Sequence, residues 1–233
     1  MQAAIFDLDA AFAGANVDTL WWRFLRGLGE IDDAQVERCD HVARQYGAGT
    51  VVPEDYALAQ AALLAGRELT QLAPLLARFV AEVARPHLPA AFRELLQRHR
   101  AEGDTLLLTS ATSRVLAEAL ARELGIGTVL GTELVWFGGR CTGMLSGHAN
   151  MRTHKLDRVR QWLLAHGQGD AVLRRATFYS SSINDLALLS AVGRPVVVDP
   201  DPRLAATALR KGWRVLQLHR TPVQQQGAQA ALA

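Results

Sequence analysis

Seven residues near the start of the chain, Ala3-Ala4-Ile5-Phe6-Asp7-Leu8-Asp9, limit what it can become. Ile5 and Phe6 favour extended backbone and the run is too short for a stable helix. It is therefore predicted to be a strand with Asp7 and Asp9 emerging at its C-terminal tip. A buried strand has no packing use for acids at its end, and in open α/β sheets that edge is where ligands bind. Asp also caps helices and turns loops, so the pair alone leaves function and scaffold equally open.

Three later segments bear on the choice. Asp104-Thr105-Leu106-Leu107-Leu108-Thr109-Ser110 reads as a second strand ending in hydroxyls, followed by a helix over 113–124 with Ser113 as its expected N-cap. Lys155 lies between Arg152 and the amphipathic stretch 156–163. Ala176-Thr177-Phe178-Tyr179-Ser180 reads as a third strand, running into Ser181-Ser182-Ile183-Asn184-Asp185-Leu186. From Pro89 onward helix and strand alternate, with further strands expected at 195–198 and 213–216 and helices at 90–100 and 203–211. Alternation of this kind predicts an α/β fold with a parallel sheet and helices on both faces. The exception is 132–143, where Gly138-Gly139 between strand-like arms predicts a β-hairpin. Between the first two strands the pattern is mainly helical, around 19–25, 34–38, 53–64 and 72–80. Pro86 and Pro89 mark the return, since each disfavours helix at the residue before it.

In chain order these segments resemble the motifs of the haloacid dehalogenase superfamily, in particular its phosphoserine-phosphatase-like branch, subfamily IB. Asp7-Leu8-Asp9 matches the first motif, Ser110-Ala111-Thr112 the second, Lys155 the third and Ser182-Ile183-Asn184-Asp185-Leu186 the fourth. The only lysines in the chain are Lys155 and Lys211, so a lysine kept at the motif position suggests a need for a compact ammonium. The resemblance implies a Rossmann-like, doubly wound parallel sheet built from residues 1–12 and 86–220, with an inserted helical cap at 13–85. It also implies a phosphomonoester hydrolase working through an aspartyl-phosphate intermediate with Mg²⁺ on a small phosphorylated metabolite. Asp7 would be the nucleophile, Asp9 the general acid and base, and Ser110 and Lys155 the phosphate partners. Magnesium would lie among Asp7, Asp9 and Asp185, with Arg152 and Asn184 as substrate contacts.

The match departs from the family at telling places. Ser181 stands where a metal-binding Asp is usual, Ala10-Ala11 replaces a Gly or Asn followed by Thr, and Asn16 and Val17 replace Asp and Ser. These losses leave a weakened enzyme, a pseudoenzyme retained for ligand or partner binding, and a phosphotransferase as readings beside the hydrolase.

Other features narrow the field. A formal charge of +2 over 233 residues, with arginines spread along the chain, gives no nucleic-acid footprint. Cys39 and Cys141 lack the spacing of a metal knuckle or a disulfide framework and are expected as free thiols. No apolar run reaches the ~18–20 residues of a membrane span, and no signal segment is recognised at the N-terminus, so a soluble cytoplasmic protein is expected. No P-loop or Rossmann glycine pattern occurs in 125–131. His41, His87, His99, His148, His154 and His166 show no metal-ligand spacing and are expected at the surface or as caps, with His154 of interest for preceding Lys155. Trp21 and Trp22 are expected to pack in a core. The low-complexity tail 221–233 is expected to be disordered, and oligomeric state is not legible.

Overall fold

The computed structural model describes residues 1–12 and 16–218; the tail at 221–233 lies outside the described residues. Its strands are β1 (Ala3–Asp7), β2 (Thr105–Ser113), β3 (Thr128–Thr132), β4 (Leu134–Phe137), β5 (Arg140–Leu145), β6 (Thr177–Ser180), β7 (Arg194–Val198) and β8 (Arg214–Leu216). All residues of β1 are buried, and its pleat sends Ala4 and Phe6 into one apolar cluster and Ala3 and Ile5 into another. A strand buried on both faces belongs inside a sheet. β1 is accordingly flanked by β2 and β6 in the parallel order β3-β2-β1-β6-β7-β8. The chain winds outward from β1 to one edge and then returns to build the other half. The C-terminal end of β1 is thus the topological switch point where such sheets bind ligands.

Each face has its own helices. Phe6 lies in a cluster with Phe92, Leu95 and Leu96 of α5 (Ala90–Ala101) and Leu116 and Leu120 of α6 (Arg114–Leu124). Ile5 lies in one with Val159 and Leu163 of α7 (Thr153–Ala165), Leu188 and Leu189 of α9 (Leu186–Ala191) and Leu204 of α10 (Pro202–Lys211). The short α8 (Asp170–Leu173) adds Val172 to the second cluster. The expected hairpin forms as the antiparallel pair β4 and β5, outside the main sheet.

Between β1 and α5 lie α1 (Val17–Gly27), α2 (Asp33–Gly47), α3 (Pro53–Ala61) and α4 (Leu69–Phe79). α4 tolerates Pro74 near its middle and continues through a π-helical turn, Val80–Ala84, into a 3-10 turn at Arg85–His87. Trp21 and Trp22 of α1 are buried, and Trp21 meets Phe79 edge to face at 5.1 Å. Cys39 and Cys141 are buried free thiols.

Two local expectations need correction, and one strand was not anticipated. Ser113 sits at the N-cap of α6, but its side chain makes no capping bond. His99 is no surface or capping residue. It is buried, with Nδ1 2.7 Å from Asp104 Oδ2 and Nε2 2.7 Å from the Tyr179 hydroxyl. Residues 128–132, which carry no clear strand pattern, form the edge strand β3. Gly131 explains the weak signal: a Cβ there would stand 2.7 Å from the Cα of Arg114, so close packing against the start of α6 demands glycine. Gly131→Ala is therefore expected to destabilise the protein by about 1–3 kcal/mol, read as a lower denaturant midpoint at unchanged slope. An unchanged midpoint would mean that β3 and α6 separate freely.

Candidate active site

Three strand ends define the site. Asp7 of β1 is level with Thr109 of β2, and Phe6 is level with Tyr179 of β6, which brings Asp7, Ser110 and Ser180 to one edge. Beyond Thr109 the register with β3 shifts, since Thr109 faces Leu130 while Ser113 faces Thr132. A bulge of this sort re-aims side chains, here Ser110 and Thr112. Asn150 holds the distorted strand: its buried Nδ2 donates to Thr109 Oγ1, Ser110 O and Leu130 O.

Lys155 occupies the core-facing stripe of α7, in line with Val159 and Leu163. An ammonium on such a stripe must find charged partners. Its Nζ is 2.8 Å from Asp7 Oδ1 and 2.6 Å from Asp185 Oδ1, and all three side chains are almost fully buried. Asp185 is fixed on its other oxygen by the Ser180 hydroxyl at 2.7 Å. Asp9 is held at the start of α1, accepting from Val17 N at 2.9 Å and Asn16 Nδ2 at 3.0 Å. Asn16 at the N-cap, a departure from the family pattern, thus supplies a neutral donor to Asp9.

The other anticipated residues have defined places. Ser110 is buried, its Oγ accepting from Thr112 N. Ser181 is half-buried, its carbonyl accepting from Asp201 N, and it shares with Asp9 and Tyr46 a cavity of about 270 Å³. Asn184 donates to the Tyr46 carbonyl at 3.0 Å and so joins the fourth motif to the end of α2. Arg152 Nη2 donates to the carbonyls of Gly49 and Val51, tying the segment before α3 to the start of α7. His154 does not join the carboxylates but stacks on His148 at 4.0 Å.

Asp18 went unread in the sequence. It is buried in the first turn of α1, its Oδ2 accepting from the hydroxyls of Tyr56 and Thr112, each at 2.9 Å. An acid in a first helical turn ordinarily signals only the helix dipole, and nothing in one sequence separates the two roles.

Four carboxylates, Asp7, Asp9, Asp18 and Asp185, share this corner with one ammonium. Burial, opposed by Lys155 but reinforced by Asp185 and Asp9, pushes Asp7 up to about 8. Burial with the Asp18 charge pushes Asp9 up to about 7, and burial pushes Asp18 up to about 6. Burial acts to lower the Lys155 pKa, but Asp185 and Asp7 outweigh it and leave the ammonium above its ordinary range. Asp7 Oδ2 is buried without a hydrogen-bond partner. A carboxyl oxygen left without a partner among excess acids is, once ionised, a hard donor of the kind that suits Mg²⁺.

Comparisons with known proteins identify the family and the fold. The family model described as haloacid dehalogenase-like hydrolase matches residues 4–190. A histidinol-phosphatase of Neisseria meningitidis serogroup C is 34% identical over 215 residues, covering 91% of this chain and 97% of the relative. A solved protein of unknown function from Bordetella pertussis Tohama I superposes with a TM-score of 0.85 at 33% identity, over 93% of this chain and 98% of that one. A phosphoserine phosphatase solved as a phospho-aspartyl intermediate analogue shares the fold, at a TM-score of 0.67 and 12% identity over 96% of each chain.

The raised carboxylates set a sign for stability. With folded pKa values above 3.8, these groups hold protons that the unfolded chain releases, so their stabilisation is complete below about pH 4 and lost as pH rises to about 8. In chelator, the melting temperature of the parent should therefore fall between pH 5 and pH 8 more steeply than that of Asp7→Asn, and Mg²⁺ should restore the parent most at pH 8. Equal slopes for parent and variant would contradict the charge excess.

Proposed function

The chain belongs to the haloacid dehalogenase-like hydrolase family, and from that premise we propose that it is a Mg²⁺-assisted phosphatase of small phosphorylated metabolites, with Asp7 as nucleophile. The observation that carries the reading is the placement of Lys155 Nζ 2.8 Å from Asp7 Oδ1 at the tip of β1, beside Asp9. Phosphoryl transfer asks for an aligned nucleophile and for positive charge around the phosphoryl oxygens.

An Asp7 oxygen attacks phosphorus, the ester P–O bond breaks, and the departing alkoxide takes a proton from Asp9. Water then gives a proton to Asp9 and attacks phosphorus; the Asp7–phosphorus bond breaks and inorganic phosphate leaves. Asp9, pushed up to about 7, can serve in both directions near neutral pH. Lys155 orients Asp7 and offers positive charge to the phosphoryl oxygens, and Ser110 Oγ–H donates to one of them. Asp7, the main-chain carbonyl of Asp9 and Asp185 would hold Mg²⁺, which when bound neutralises charge on nucleophile and phosphate. Tyr46, which lines the cavity beside Asp9 and stacks on the buried Tyr56 at 4.8 Å, would help to exclude water from the intermediate.

A pocket kept only for binding is the less favoured reading. A fully buried ammonium is costly to desolvate, and replacing such a pair by apolar residues is often neutral or stabilising, so a site released from catalysis has no need of Lys155. The chain does depart from the family at Ser181, and the hydrolase is expected to be weak there rather than absent, because Mg²⁺ readily keeps waters in its shell.

A panel of phosphate esters including histidinol phosphate, assayed with and without Mg²⁺, tests the reading: turnover should require the metal and vanish in Asp7→Asn. Parent-level turnover by that variant would remove Asp7 from the mechanism. Ser181→Asp should tighten Mg²⁺ by about 10–100-fold in calorimetric titration and raise turnover; unchanged affinity would place Ser181 outside the metal shell.

A further inference from the structure

Residues from two distant parts of the chain meet beside the entrance to α7, outside the carboxylate cluster. His148 Nδ1 is 3.4 Å from Glu54 Oε1, and the rings of His148 and His154 lie parallel, 3° apart in plane and 4.0 Å between centroids. One ligand atom from each of Glu54, His148 and His154 falls within 4.8 Å of the other two. Asp157 Oδ2, one turn along α7, is 3.9 Å from His154 Nδ1.

The backbone beneath these side chains is fixed from both sides. Asn150 ties the loop before α7 to β2 and β3, and Arg152 binds the carbonyls of Gly49 and Val51, just ahead of α3. The side chains themselves are partly exposed and can rotate. Metal–ligand bonds of about 2 Å in tetrahedral geometry need donor atoms roughly 3.3 Å apart, a contraction within reach of such rotation. Two imidazoles and a carboxylate suit zinc and its late first-row neighbours, whereas Mg²⁺ prefers all-oxygen shells.

We propose that Glu54, His148 and His154 bind a late first-row divalent metal ion, with Asp157 available as a fourth partner, and that the bound ion ties α3 to the start of α7. The clamp joins the helix that carries Tyr56 to the helix that carries Lys155, and it stands independently of the phosphatase reading.

Zn²⁺ is the probe. Protein equilibrated with millimolar Mg²⁺ and micromolar Zn²⁺ should retain one zinc per chain by elemental analysis, and Asp7→Asn should retain it equally. His148→Ala and His154→Ala should each weaken binding at least about tenfold while keeping the parent's circular dichroism, because both rings are exposed enough to truncate. Zinc should also slow amide exchange over α3 in the parent and not in Glu54→Gln, an effect that mere adsorption to surface histidines does not produce. No zinc on the parent, retention undiminished in both histidine variants, loss of zinc in Asp7→Asn, or zinc binding without protection of α3 would each overturn the proposal.

Discussion

An ammonium with 1% of its side chain exposed stays charged only if its surroundings supply compensating charge, and Lys155 draws that from Asp7 on one side and Asp185 on the other. The contact joins three elements far apart in sequence: the tip of β1, the first turn of α7 and the turn after β6. Removing one partner of such a buried pair costs about 3–5 kcal/mol because the other is left uncompensated. The ion pair therefore fixes the register of α7 against the sheet as well as the orientation of Asp7. Positioning of the proposed nucleophile and cohesion of the fold rest on the same bonds.

Around that pair a second polar layer fastens the inserted helices to the sheet. Asn16 and the amide of Val17 hold Asp9, Asp18 accepts from Tyr56 of α3 and Thr112 of β2, and Asn184 donates to the end of α2. The first and last of these joints link a candidate site residue to a helix between β1 and α5, and Asp18 links two of those helices to β2. A movement of α1, α2 or α3 would thus be felt at Asp9, Thr112 or Asn184, giving those helices a direct means of coupling access to chemistry.

What was legible in the sequence follows from how locally each feature is encoded. The Ile5-Phe6 run followed by Asp7 and Asp9, the strand ending at Ser180, and the Gly138-Gly139 hairpin carry their signals in adjacent residues, and the structure has them where expected; the strand expected to end at Ser110 instead runs on to Ser113. Lys155 was legible because lysine is otherwise nearly absent. Asp18, Asn150 and His99 were not: their side chains act across 94, 41 and 80 positions respectively, and nothing nearby distinguishes them from ordinary helix-start, loop and surface residues. The strand β3 was hidden by Gly131, whose reason for being glycine is the backbone of Arg114. Arg152, expected as a substrate contact, has its Nη2 engaged by two carbonyls of the segment before α3, a bond across about 100 positions that nothing local announces.

The central claim is covalent chemistry at Asp7, and trapping tests it most directly. Protein turning over a phosphate ester in Mg²⁺ would be quenched in acid, reduced with borohydride and digested for peptide mass spectrometry. An acyl phosphate at Asp7 is reduced to homoserine, so the account predicts homoserine at position 7, dependent on substrate and absent without it. Turnover with no homoserine at position 7, or with homoserine at another acid, would contradict it.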